Sequence, residues 1–321
     1  MRNVFTFALK ALVSGVLLYF AFAHVKFDVI GQRLDRINYL WLAATVLIFI
    51  AQTISGALRW QRIVQKCNAP DGLPFALSSA LRYTFVAAFF NQTLPSTVGG
   101  DAVRLWLLAR DQGGWRIATY SVLIDRLVGV LVLAFLVILC LPWSFALIGN
   151  ATGRIALLIV GFGSIIACAS FLALGFVRWR WLDRWWLTQQ LAAAALAARQ
   201  VFTSVSGGPP IIAYTLIIHL MTVSAAWCLA KSVSAPLQWS EALLLVLPVV
   251  LIAAIPLSIA GWGTRETAMV LAFGYAGLPA SDGLIVSVLV GIAMFAAGLV
   301  GGGVWILDPG RQIRNGRQRA R

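Results

Sequence analysis

The chain has 321 residues, 60% of them hydrophobic and 11% charged, with a mean hydropathy of +0.88 and a net charge of +14. That apolarity excludes a soluble globular domain, and apolar runs that are continuous rather than alternating exclude a β-barrel. Nucleic acid is not the expected partner of the positive charge, because Lys and Arg stand at the ends of apolar segments, as positive-inside topology and contact with anionic lipid require.

An all-α polytopic membrane protein is therefore expected, built from segments of about 20 apolar residues. The N-terminal run MRNVFTFALKALVSGVLLYFAFA imitates a signal peptide, with a small-residue site at Ala21-Phe22-Ala23. Its apolar run is long for one, and it reads as an uncleaved first span over about 4–23. Further spans are predicted over about 38–58, 117–141, 154–177, 210–231 and 283–307. Two more apolar stretches, about 75–109 and 240–275, are broken at their centres, and each is long enough for two half-helices. Cys67, Cys140, Cys168 and Cys228 are scattered without metal-ligand spacing and read as packing residues.

Charge sets the sidedness of the broken stretches. With the N-terminus cytoplasmic, the first stretch is flanked by Arg59, Arg62 and Lys66 before it and by Arg110 and Arg116 after it. Both flanks belong inside, so the stretch enters and leaves on one face as a re-entrant hairpin. The loop 142–153 is uncharged and external, whereas Arg178, Arg180, Arg184 and Arg199 place the next loop inside. The flanks of the second stretch, 232–239 and 276–282, contain no Lys or Arg, which makes it a hairpin from the opposite face. The tail, 309–321, carries five arginines and returns to the cytoplasm.

The hairpin apices match without a gap. PSTVGGDAVR from Pro95 and PLSIAGWGTR from Pro256 share Pro-x-Ser/Thr-x-x-Gly-x-x-x-Arg, offset by 161 residues, half the chain. Each half reads span, span, hairpin, span; three crossings are an odd number, so the second copy is inverted. The expected fold is one transmembrane domain, six full spans plus two oppositely oriented re-entrant hairpins. The inverted-topology repeat has one copy at about 1–145 and the other at about 150–308. Repeats of this kind place broken helices near the bilayer midplane.

Backbone broken at membrane depth must lie within protein or beside water. Pro95 and Pro256 start the breaks, Thr97 and Ser258 suit helix caps, and Gly100 and Gly261 permit tight turns. Half-helix N-termini carry unpaired N–H groups and the positive dipole end, and Arg104 and Arg265 add full charge. Such a site suits an anion, most naturally phosphate, with Asn91, Gln92 and Thr93 as neutral donors at the first apex. Asp101, three residues from Arg104, can neutralise it. Asp125 and Arg126 are ionisable residues inside a span and candidates by that fact, but they stand about two turns from its cytoplasmic end, where snorkelling or a structural pair also accounts for them; Asp125 can meet Arg104 or Arg265. Glu266 can balance Arg265 or titrate a proton. His219 reads as a satisfied core histidine. The segment RWRWLDRWWLTQQ, Arg178–Gln190, reads as an interfacial elbow in contact with anionic lipid. Phosphate-loop, metal-cluster and nucleophile-elbow motifs are all lacking, so neither a cofactor, a metal nor an enzymatic activity is expected.

Taken together, NQTLPSTVGGDAVR, IDRLVG and IPLSIAGWGTRE resemble the lysylphosphatidylglycerol synthetase transmembrane-region family over nearly the whole chain. Pro95, Gly99, Gly100, Asp101 and Arg104 match the first motif, and Asp125, Arg126 and Gly129 the second. Pro256, Ser258, Gly261, Gly263, Arg265 and Glu266 match the third. The bifunctional members carry a soluble aminoacyl-transferase domain that this sequence lacks, so lipid aminoacylation is not expected. The resemblance implies lipid translocation in a bacterial inner membrane, with phospholipid and polyprenyl- or hopanoid-type lipids as partners. The alternative is a membrane-embedded enzyme or accessory subunit acting on lipid-linked sugars or aminoacyl lipids. Both termini are expected in the cytoplasm, and a homodimer is compatible with the sequence.

Overall fold

The computed structural model describes residues 2–23, 31, 33, 37–67, 74–94, 98–111, 114–173, 196, 208–255 and 262–307. Among these residues the chain is all helical. The first half contains α1 (Arg2–Ala23), α2 (Tyr39–Cys67), α3 (Leu77–Thr93), α4 (Gly99–Asp111), α5 (Trp115–Leu139) and the short α6 (Leu141–Leu147). The second contains α7 (Ala151–Ala173), α8 (Gly208–Ser232), α9 (Trp239–Ala253), α10 (Thr264–Tyr275) and α11 (Ala280–Ile306). Helices satisfy every backbone hydrogen bond within the segment, which an apolar solvent demands. Four of them, α2, α5, α8 and α11, are long and apolar enough to cross a membrane, and α1, α7 and α9 contain shorter apolar runs.

Both interrupted stretches are two helices each. The first break separates Thr93 from Gly99, with Leu94 extended at φ −86° and ψ 141°. The second separates Ala253 from Thr264. In each case the two arms pack on one another, α3 on α4 and α9 on α10. Pro95, Thr97, Pro256, Ser258 and Gly261, the elbow at 178–190 and the tail at 309–321 lie outside the described residues.

The second span is corrected. The charge pattern ends it at 58 and assigns Arg59, Arg62 and Lys66 to a loop, but α2 continues to Cys67. Its apolar stripe explains why: Trp60, Ile63 and Val64 recur at helical spacing, and all three are wholly buried. The uncharged loop at 142–153 contains a helix as well, α6, with Pro142 in its first turn. Arg154 donates to the carbonyls of Phe145 and Ile148, both at 2.7 Å, and so satisfies its C-terminal end.

The broadest interface joins α2 to α8. Around it α3 lies on α11, and α5 on α9. The α3–α11 contact is backbone against backbone: a Cβ on Gly301 would stand 1.8 Å from the Phe85 carbonyl oxygen, so only glycine allows this approach. The main core lies between these helices, with Phe49, Leu133, Leu229, Leu245, Met269 and Val286 among its members. α1 packs on α10, and Thr267 Oγ1 donates to the Leu17 carbonyl at 2.9 Å.

Candidate functional site: two buried charge clusters

The first cluster begins where α4 starts. Gly100 packs so tightly against α3 that a Cβ there would lie 2.0 Å from the Ala87 carbonyl oxygen. That proximity lets Asn91 Oδ1 accept the Gly100 N–H at 2.9 Å, capping one of the orphan donors at the helix start. One residue on, Asp101 stands in the first turn of α4, where a carboxylate also meets the positive end of the helix dipole.

From Asp101 the charges run in an alternating chain across three helices. Arg126 of α5 donates through Nε to Asp101 Oδ2. Arg104 Nη2 donates to Asp101 Oδ1 at 3.1 Å and to Asp125 Oδ2 at 3.0 Å. Arg59 of α2 completes the chain, with Nε 2.8 Å from Asp125 Oδ1 and Nη1 3.2 Å from Thr215 Oγ1 on α8. Beneath it the guanidinium of Arg104 lies 4.6 Å from the centre of the Trp60 ring, and Trp60 Nε1 donates to Ser121 Oγ at 3.3 Å. All four carboxylate oxygens are engaged, as burial of the two aspartates demands. Taking ions out of water still costs several kcal/mol each. A core of apolar side chains would avoid that cost, which makes this cluster the candidate site.

The second cluster is smaller and closes on itself. Gly263, at φ +95°, turns the chain into α10 in a conformation that other residues rarely adopt. Glu266, three residues on, accepts the Gly263 N–H on Oε2 at 2.7 Å, the reach-back half of a capping box. Its Oε1 receives Arg265 Nη2 at 2.8 Å and Ser287 Oγ of α11 at 3.1 Å. Arg265 Nε in turn donates to Ser287 Oγ at 3.1 Å, and its guanidinium lies 5.4 Å from the Trp262 ring.

The predicted residues thus fall into two groups. Asn91, Gly100, Asp101, Arg104, Asp125 and Arg126 come together at the first hairpin, and Arg265 and Glu266 at the second. Asp125 pairs with Arg104 and not with Arg265. The half-helix N–H groups at Gly100 and Gly263 are already bonded within the protein, rather than left for a ligand. Thr97, Ser258 and Gly261 lie outside the described residues. His219 is buried, with Nε2 3.1 Å from the Gly129 carbonyl oxygen.

Sequence reasoning missed Arg59, Thr215 and Ser287. The first had a readable signal: Arg59 lies one residue before a buried aromatic whose stripe continues through Ile63. Thr215 and His219 had another, because two polar side chains four residues apart share one face of an apolar helix. Ser287 carried no comparable mark. Among the described residues no group of three His, Cys, Asp or Glu side chains is placed to hold a metal.

The fold is that of a multi-pass helical membrane protein, with ion pairs buried on the second arm of each interrupted segment. The sequence model described as the lysylphosphatidylglycerol synthase transmembrane region matches residues 7–302, and the chain belongs to that family. This membership connects it with membrane-lipid function. A search of curated proteins finds no match.

Proposed function

We propose that this protein is a lipid flippase or transporter, moving a lipid headgroup across the bacterial inner membrane while the acyl chains stay in lipid. The single observation that carries this reading is the pair of buried arginine–carboxylate clusters, one on the second arm of each hairpin. A polar path through an apolar bundle needs fixed charge of both signs, so that a headgroup exchanges partners as it moves.

The packing pattern supports an inverted repeat of six spans and two hairpins. Exchange α2, α3, α4 and α5 for α8, α9, α10 and α11, and every principal contact among them finds a counterpart. Thus α3 on α11 answers α5 on α9, α2 on α5 answers α8 on α11, and α2 on α8 maps onto itself. Arg104 and Arg265 occupy matching positions in the two copies, consistent with alternating use of two faces.

The experiment is a flip assay with the purified full chain in liposomes, using a headgroup-labelled phospholipid and a membrane-impermeant quencher. Quenching of inner-leaflet label at least about tenfold faster than in empty liposomes is expected, with Arg104→Lys falling back toward that baseline. Rates equal to those of empty liposomes for the parent chain sink the proposal.

A further inference from the structure

The first cluster is not neutral. Among the described residues Arg59, Arg104 and Arg126 face only Asp101 and Asp125, so one positive charge is in excess. The second cluster shows no such excess, since Arg265 and Glu266 balance. The surplus stands at a definite place. The side chains of Arg59 and Arg104 are 11% and 6% exposed, respectively, whereas that of Arg126 is 52% exposed. Arg126 is held by Nε alone, and its two terminal amino groups have no hydrogen-bond partner among the described residues.

Position along the helix makes this arrangement informative. Arg126 lies eleven residues into α5, about 16 Å from the start of the helix at 1.5 Å per residue. A guanidinium there keeps its charge and requires acceptors, and no carboxylate of the cluster is left to supply them. The cluster is short of acceptors in a second place too, because Arg104 Nε is buried with no hydrogen-bond partner among the described residues. Anchoring Arg126 through Nε leaves Nη1 and Nη2 together in one plane, the geometry that binds two oxygens of a phosphate at once.

We propose that Arg126 is an anion-recognition site for a singly charged phosphodiester headgroup. Asp101 holds the guanidinium in place, and the Arg59–Asp125–Arg104 chain holds Asp101. A headgroup of net charge −1 neutralises the cluster, whereas a zwitterionic headgroup brings its own cation and leaves the excess. This rests on the lipid-handling reading for the source of the anion, but not on transport.

Binding by the full chain in detergent micelles tests the site, with native mass spectrometry reading occupancy and affinity. The probes are phosphatidylglycerol, phosphatidylcholine and inorganic phosphate. One phosphatidylglycerol per chain is expected, bound at least about tenfold more tightly than phosphatidylcholine. Arg126→Gln weakens it about tenfold or more in a chain that still melts cooperatively, and Arg126→Lys, which keeps the charge and loses the fork, falls between. Inorganic phosphate competing in an Arg126-dependent way upholds the anion site and assigns it to the free ion. Equal affinity for the two lipids, or Arg126→Gln binding like the parent, overturns the proposal. If Arg126→Gln does not fold, Arg126→Lys decides, and unaltered binding by that variant overturns it. Selective binding without flipping leaves this site standing and removes the transport reading; flipping without Arg126-dependent binding does the reverse.

Discussion

The two hairpins share an apex pattern, yet they solve the problem of a buried arginine differently. Arg104 is one link in a chain of five ions drawn from α2, α4 and α5, and its neutralisation is spread over three helices. Arg265 is answered by the residue next to it, and the same carboxylate caps the helix that both begin. Repeated sequence therefore does not mean repeated electrostatics. The first hairpin depends on its neighbours for stability and carries net charge; the second is nearly self-sufficient and neutral.

Four substitutions probe that difference. The largest loss is expected from Asp125→Asn, which leaves two buried arginines without their shared partner. Breaking buried pairs of this kind costs about 3–5 kcal/mol, read as a fall in melting temperature of the purified protein or as failure to recover folded chain. Gly100→Ala comes next. Its new Cβ would collide with the Ala87 carbonyl, forcing the arms of the first hairpin apart and costing several times the ~1 kcal/mol typical of point substitutions. Glu266→Gln is milder than Asp125→Asn, because the amide oxygen can still accept the Gly263 N–H and only one arginine loses its counter-charge. An equal drop in melting temperature for Glu266→Gln and Asp125→Asn refutes the contrast between the hairpins. Ser287→Ala removes one hydroxyl shared by Arg265 and Glu266, at a cost of about 1–2 kcal/mol measurable in the same melt.

Several features were legible because they rest on local chemistry. The apolar runs and their interruptions locate the hairpin arms to within a few residues. The spacing of Asp101 and Arg104 puts them on one helix face, and the pair is found bonded. Arg59 was not legible, because a charge count treats every basic residue beyond an apolar run as an interfacial marker. Whether a helix carries its charge into a bundle depends on what waits there, and here Asp125 and Thr215 arrive from helices 66 and 156 residues away. One N–H at each half-helix start is bonded within the protein for a related reason. Asn91 and Glu266 reach back to them, and side-chain reach follows from how closely glycine lets the arms approach.

By itself the sequence determined the class, most of the helical elements, the two breaks and the identity of the arginines that follow them. Each of these is decided by hydropathy, helical period and the clustering of proline, glycine and polar residues at the breaks, all properties of a short window. Tertiary structure alone decided which carboxylate meets which arginine, and that among the described residues the first hairpin's cluster holds one more arginine than carboxylate while the second balances. Charge balance in a low-dielectric interior is a sum over every neighbour in space, and no local window contains that sum.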